Sequence, residues 1–264
     1  MNVVLLTGSG SEHQYVSSVF AQEFGTDLSA VIVSNAPRES WAQQITRYRR
    51  RYSSAQIASR VAARLYRAAH RLDQRRSATF RAHLDTQHLP TVHPIGVAGH
   101  NSDECLAILD EIMPNVIGVY GTGIIRSSVC DRARAGVLNL HTGLSPKYRG
   151  ADTVFWPLFN EEPEWIGVTV HGLTEEIDGG PIFATARPSI EAEDSEDSLF
   201  AKSVTLGAEV LIEQIREVAA GRASPKPQDL DVGRQYRFVD RTVAAERRVL
   251  RLLRGGMLER HLAR

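Results

Sequence analysis

The 264-residue sequence predicts an α/β fold, a mostly parallel sheet with helices on both faces, carrying an arginine-rich helical insert and a short helical tail. Three observations predict it. Short apolar runs of strand length alternate with stretches of helical spacing, the order that builds parallel strands and covering helices. Glycine and proline punctuate the junctions, at Gly8 and Gly10, Pro114 and Gly221. The length suffices for one large core without cross-links.

Asn2 to Thr7 is a buried strand running into the Gly8-Ser9-Gly10-Ser11 turn. Val16, Val19, Phe20 and Phe24 share one face of a helix over 13–24, and Leu28 to Val33 is the next strand. From 36 to 89 the rhythm breaks. Ile57, Val61, Leu65, Ala68 and Leu72 recur at helical spacing, and Arg60, Arg64, Arg67, Arg71 and Arg75 recur on another face. No glycine or proline interrupts 39–89, so a long helix or helical hairpin is expected. The α/β pattern resumes with strands at 91–97, 115–120, 136–141, 166–172 and 181–186, and a helix at 102–113 capped by Asn101 or Ser102. Asp194 or Ser195 caps a long helix whose first turn is acidic and which Gly221 ends. Val243 to Leu262 reads as one basic amphipathic helix. The expected division is a catalytic domain over 1–221 and an extension over 222–264.

Hydrophobic usage of 42% with 23% charged residues excludes wholesale disorder. Thirty-one basic residues balance thirty-one acidic ones, so no global field marks nucleic acid or membrane as partner. Cys105 and Cys130 are the two cysteines, which excludes a disulfide framework and a cysteine-based zinc site; no metal is expected. The opening lacks a basic leader, and no apolar run nears the roughly 18–20 residues of a spanning helix, so a cytoplasmic location is expected. The balance hides an asymmetry. Residues 47–81 hold eleven arginines and one acid, whereas 151–200 hold twelve acids and one arginine. Such segments either cover one another or sort ligands by charge. The arginine stripe is accordingly a solvated face, an anion site or a subunit contact, and the insert and basic tail are candidate contacts of a homodimer.

Three polar residues fall where strands end. In Leu138-Asn139-Leu140-His141, period two puts Asn139 and His141 on one face, about 7 Å apart at Cα. Asp178 lies in the turn Glu175-Glu176-Ile177-Asp178-Gly179-Gly180. Carboxyl ends of strands are where open α/β sheets bind ligands. An Asn amide and a His N–H can stabilise an oxyanion while a carboxylate supports the imidazole, a set suited to moving an acyl group onto an amine. No Gly-x-Ser-x-Gly is present and neither cysteine has a sequence-near histidine, so attack would be direct. A capping Asn, a surface His and a turn Asp remain the alternative.

The run NLHTGLSPKYRG followed by IGVTVHGLTEEIDGGPI resembles the formyltransferase family that uses 10-formyl-tetrahydrofolate, which includes glycinamide ribonucleotide, methionyl-tRNA and sugar N-formyltransferases. NVVLLTGSGS and EAEDSEDSLFAK extend the resemblance over roughly residues 1–35 and 90–220. It implies a Rossmann-like fold, with Asn139, His141 and Asp178 as the triad that polarises the formyl carbonyl, holds the oxyanion and relays protons through water. It implies a folate pocket lined by Gly121, Ile124, Ile125 and Arg126, closed by Ile177 and Gly179, with Arg126 either touching the donor or standing on the surface. Ser9, Gly10 and Ser11 become a phosphate cradle or a bare turn; Tyr148 and Arg149 pack against the catalytic loop or reach the acceptor.

Departures bear on the acceptor. Glu12 and His13 stand where glycinamide-type enzymes place Ser-Asn, and Val204 and Gly207 where they present Gln and Glu. Forty-three residues after Gly221 are too few for a tRNA-binding barrel. The expectation is a small-molecule amine acceptor, a nucleotide-linked amino sugar whose pyrophosphate uses the insert's arginines. A non-sugar amine such as a hydroxyornithine or antibiotic precursor, or glycinamide ribonucleotide itself, comes next. An inactive folate-binding scaffold and an RNA-directed protein are the readings from other classes.

Overall fold

A computed structural model describes residues 1–35, 43, 46, 48–84 and 88–264; the start of the insert, with Arg47, and residues 85–87 lie outside the described residues. The strands are β1 (Val3–Thr7), β2 (Leu28–Ser34), β3 (Ile95–Val97), β4 (Val116–Tyr120), β5 (Gly136–His141), β6 (Tyr148–Gly150), β7 (Val168–Gly172), β8 (Ile182–Ala186) and β9 (Arg234–Tyr236). Helices are α1 (Ser11–Phe24), α2 (Ser54–Ala69), α3 (Leu72–His83), α4 (Asp103–Ile112), α5 (Ser127–Cys130), α6 (Phe155–Phe159), α7 (Glu196–Ala219), α8 (Val243–Arg254) and α9 (Met257–Leu262).

Seven strands form one sheet in the order β3-β2-β1-β4-β5-β7-β8, parallel through β5 and antiparallel beyond. The chain runs outward from β1 to β2 on one side and returns to β4 on the other, which makes the β1/β4 boundary a topological switch point. β1 and β4 are buried along their whole length because both sheet faces are covered. Val3, Leu5, Leu138, Leu140, Val168 and Val170 pack under α1 and α7. Val4, Leu6, Ile32, Ile117 and Val119 point the other way, onto Cys105 and Leu109 of α4. Ser195 caps α7 through the Ser198 N–H, and Glu196 and Asp197 sit in its first turn.

The strand expected over 91–97 shrinks to Ile95–Val97, because Pro94 has no N–H for the ladder. The single tail helix divides at Gly255-Gly256, where Gly256 takes φ 73°. Within the insert, the described residues 54–83 form a helical hairpin, α2 and α3, that turns at Arg71 in the left-handed region. Its arginines meet the chain's own acids. Arg67 bonds Asp73 and Glu246, each at 2.6 Å, and Arg76 pairs with Glu196 and Asp197. Arg241, 3% exposed, joins Glu196, Glu246 and Asp152 and lies 3.9 Å over the Phe155 ring. Burial works against the Glu196 carboxylate, yet Arg241 and Arg76 hold its pKa down at about 2. The two oppositely charged segments thus meet at Arg76, Glu196 and Asp197, while Arg67 is held by Asp73 and by Glu246 of the tail.

Residues after Gly221, expected as an extension, pack back onto the domain. Tyr236 stacks between Tyr148 (5.7 Å) and Trp156 (4.5 Å), and Val249, Met257 and Leu258 close a second core cluster. Among the described residues no helix is long and apolar enough to cross a membrane.

Candidate active site

β5 and β7 pair antiparallel, setting Asn139 opposite His171 and His141 opposite Thr169. Directly opposed side chains approach within contact distance, and Leu138 and Leu140 face the core, so the polar pair emerges on the other face. Asn139 Nδ2 donates to His171 Nε2 at 3.1 Å. His171 then carries its ring proton on Nδ1 and donates it to the Gly172 carbonyl at 2.7 Å. Only one of the two Nδ2 hydrogens of Asn139 is used by this bond.

Asp178 arrives from the turn after β7 in the left-handed conformation, φ 51°, which aspartate tolerates. Gly180 in that turn abuts the Gly172 carbonyl, where a Cβ has no room. The Asp178 carboxylate lies 3.5 Å from His141 Nδ1 and 3.5 Å from His171 Nε2, and accepts the Gly150 N–H at 2.8 Å. Burial opposes its charge, but His141, His171 and the Gly150 N–H hold its pKa at about 2. His141 is 7% exposed, with Nε2 3.1 Å from the Tyr148 carbonyl. Burial pushes its imidazole below the ordinary value, against the pull of Asp178 and the Tyr148 carbonyl. The ring is therefore neutral at pH 7, yet both nitrogens face oxygens that an added proton would satisfy. The 3.5 Å gap to Asp178 is longer than a well-formed hydrogen bond and too short for a water to stand between the two atoms.

The three residues expected as a triad are brought together. His171 is a fourth member that the motif reading passed over. Its signal was present, since Thr169 and His171 alternate with Val168 and Val170 as Asn139 and His141 alternate with leucines.

At the ends of the neighbouring strands, Gly121 turns at φ 62° with the His13 ring against it. Asn101 clamps the following loop, donating to the Ile124 carbonyl and accepting from the Arg126 N–H, both at 2.8 Å. Ile124 is 77% and Ile177 48% exposed, large apolar side chains left open on the two loops expected to hold folate. Ile125 packs partly into the α4 core, Gly179 stands beside Leu230, and the Arg126 side chain is exposed. Tyr148 is packed, 1% exposed, with its hydroxyl on Glu162, and Arg149 donates to the Leu230 carbonyl; of these two, Tyr148 has no side-chain route to a ligand. Val204 and Gly207 are buried against the sheet.

The Gly8–Ser11 turn is filled by the protein itself. Gly10 caps α1, and the Glu12 carboxylate folds over it while accepting from Ser11 Oγ at 3.2 Å. His13 Nδ1 accepts the Gly8 N–H at 3.2 Å, and its Nε2 lies 3.6 Å from Glu12. A carboxylate thus occupies the helix N-terminus where a phosphate would sit.

Two cavities open on this edge. One of about 220 Å³ is lined by Thr7, Gly8, Ser34, Asn101 and Gly121–Ile124. The other, about 510 Å³, is lined by Ser9, Ser11, Tyr15, Arg81, Pro90 and Thr91 among others. Neither lining includes a triad residue. The clustered titratable groups sit at the β5/β7 ends, and the larger open volume at the β1/β2 ends. Gly8 lines both cavities.

The Formyl transferase family model matches residues 1–215. The methionyl-tRNA formyltransferase of Chlorobium chlorochromatii is 36% identical over 129 residues, 49% of this chain and 41% of that protein. The chain spans under half the length of the curated relatives it matches first. Among solved structures, a sugar N-formyltransferase from Shewanella sp aligns with TM-score 0.57 and 16% identity, covering 95% of this chain and 87% of that one. The N-formyltransferase of Helicobacter canadensis, solved with folinic acid and dTDP-3-aminofucose, aligns with TM-score 0.53 and 18% identity over 90% and 71%. On the strength of a family match over residues 1–215, most of its length, the chain belongs to the Formyl transferase family.

Proposed function

We propose that the chain moves the formyl group of 10-formyl-tetrahydrofolate directly onto the primary amine of a nucleotide-linked amino sugar. The observation that carries this is the Asn139–His141–Asp178 cluster, extended by His171, at a strand end with no covalent nucleophile in it. The donor loops suit a flat, partly apolar folate: Ile124 and Ile177 offer exposed apolar surface, and Asn101 holds the 124–126 backbone in place. When bound, the folate supplies the activated formyl group. Asn139 presents an N–H to the oxygen on which charge develops. His141 starts neutral and takes the amine's proton, its cation then meeting Asp178 and the Tyr148 carbonyl. The proton leaves through water to the departing nitrogen, so Asp178 stays ionised throughout.

Distance and charge support the choice of acceptor. β5 and β1 are two strands apart, about 10 Å, so an amine at His141 can belong to a molecule whose other end lies in the cavity by Ser9, Ser11 and Arg81. Glu12 repels a phosphate at the α1 N-terminus by about 1–4 kcal/mol per unit charge, which disfavours glycinamide ribonucleotide. Arg81 is the cation that meets a pyrophosphate, whereas Arg67 and Arg76 are committed to acids.

The test is a transfer screen with 10-formyl-tetrahydrofolate and nucleotide-linked amino sugars, glycinamide ribonucleotide, methionyl-tRNA and free diamines. A mass gain of about 28 Da on a nucleotide sugar, matched to tetrahydrofolate release, is expected from formyl for hydrogen exchange. Transfer only to tRNA or to a free diamine overturns the acceptor. Absence of folate binding overturns the reading altogether.

A further inference from the structure

The family match ends at residue 215, yet residues 226–241 touch the catalytic corner from two sides. On one side, Gln228 donates from Nε2 to the Asp178 carbonyl at 2.9 Å and to the Gly180 carbonyl at 2.5 Å, gripping the backbone of the aspartate turn. Lys226 exchanges backbone bonds with Ile182, which fixes where Gln228 stands. On the other side, β9 pairs in parallel with β6. The Arg234 N–H donates to the Lys147 carbonyl at 2.9 Å, and the Ala151 N–H to the Tyr236 carbonyl at 3.0 Å. β6 supplies two backbone contacts of the site, the Tyr148 carbonyl against His141 and the Gly150 N–H to Asp178. Gly150 holds φ 90° with its Cα against the Tyr236 carbonyl, so the two strands approach more closely than a side chain permits.

We infer that the segment from Lys226 to Tyr236 is a positioning element of the catalytic triad, with Gln228 setting Asp178 and Tyr236 setting the β6 backbone that orients His141 and Asp178. The inference rests on the triad reading above. The two grips have separate anchors. Tyr236 is 6% exposed and stacked between Tyr148 and Trp156, and Asn160 Nδ2 donates to the hydroxyls of both tyrosines at 2.9 Å. A three-residue strand has little stability alone; the stack is what presses β9 onto β6. Gln228, by contrast, is half-buried and outside the core clusters, so its truncation spares the fold.

The experiment compares steady-state kinetics of Gln228→Ala, Tyr236→Ala, Tyr236→Phe, His141→Ala and Leu109→Ala in the full chain. Leu109 packs in the core against β1, β2 and β4 and controls for lost stability. Misplacing a catalytic group slightly costs about tenfold or more in kcat, with KM for donor and acceptor within about twofold, and this is expected for Gln228→Ala and Tyr236→Ala. Tyr236→Phe keeps the stack and is expected to stay near the wild-type kcat, and Leu109→Ala to lower Tm without lowering kcat. Wild-type kcat in Gln228→Ala, a loss confined to KM, or an equal kcat loss in Leu109→Ala overturns the inference. Should Tyr236→Ala not fold, Gln228→Ala decides. Full activity in His141→Ala would instead overturn the triad reading on which the inference stands.

Discussion

Two loops leave the same edge of the sheet and treat their polar groups in opposite ways. At the end of β5, Asn139 and His141 face His171 and Asp178, His141 rests on the Tyr148 carbonyl, and one hydrogen of Asn139 is left outside the bond to His171. After β1, the glycine turn has the backbone of an anion cradle, but Glu12 covers the helix N-terminus and His13 takes the Gly8 N–H. Polar side chains alternating on a strand end have their direction fixed by the pleat. A glycine turn has no direction of its own, and the side chains after it decide whether a ligand enters.

The largest effect tests the first loop. Asn139→Ala and His141→Ala are expected to fold normally and lose about a hundredfold or more in turnover, the scale of one oxyanion donor. Wild-type rates in either variant, measured as tetrahydrofolate release, would remove the chemical half of the comparison. The insert extends the contrast to charge. Arg67 bonds Glu246, whose side chain is 4% exposed and is also held by Arg241. Arg67→Gln is expected to lower stability by about 2 kcal/mol, since the buried carboxylate keeps one cation, and to leave the acceptor KM unchanged. Denaturant unfolding reads the first and kinetics the second; a weakened acceptor KM at unchanged stability would return the stripe to substrate binding.

The second loop gives a smaller effect. Glu12→Gln removes the charge over Gly10 while keeping the side chain's size. Affinity for inorganic phosphate, read as a Tm shift, is expected to rise about tenfold as one unit of repulsion disappears at the helix N-terminus. Unchanged phosphate affinity would mean that the turn itself, not Glu12, excludes anions.

The same contrast explains what the sequence made legible. β1, β4 and α7 were readable because each buries a long stretch of one period, five residues on both faces or a 24-residue apolar stripe. β6 and β9 were not, because three residues carry no period and exist only where Tyr236 meets Tyr148. Arg241 left little trace either, since beyond the nearby Glu246 its partners Asp152 and Glu196 are remote in sequence. His171 was a different failure. Its alternation with Val168 and Val170 was visible, but a strand between two others reads as core, and only the antiparallel register shows that it faces Asn139.

That register sets up the subtlest prediction. His141 must be neutral to take the amine's proton, and burial holds its pKa below the ordinary histidine value. The acid limb of kcat/KM is therefore expected below that value, with activity lost as pH falls through the His141 pKa in the folded enzyme. The groups facing the ring are Asp178, His171 and the Tyr148 carbonyl, and of these Asp178 pulls the pKa up most. Asp178→Asn keeps the side chain's size and removes that pull, so the His141 pKa falls and the acid limb of the remaining activity moves to lower pH. The Asp178 carboxyl has a pKa of about 2, so in the parent enzyme it is ionised across the range assayed and its pull is constant there. A limb that stays in place, or moves to higher pH, would assign the titrating group to something other than His141.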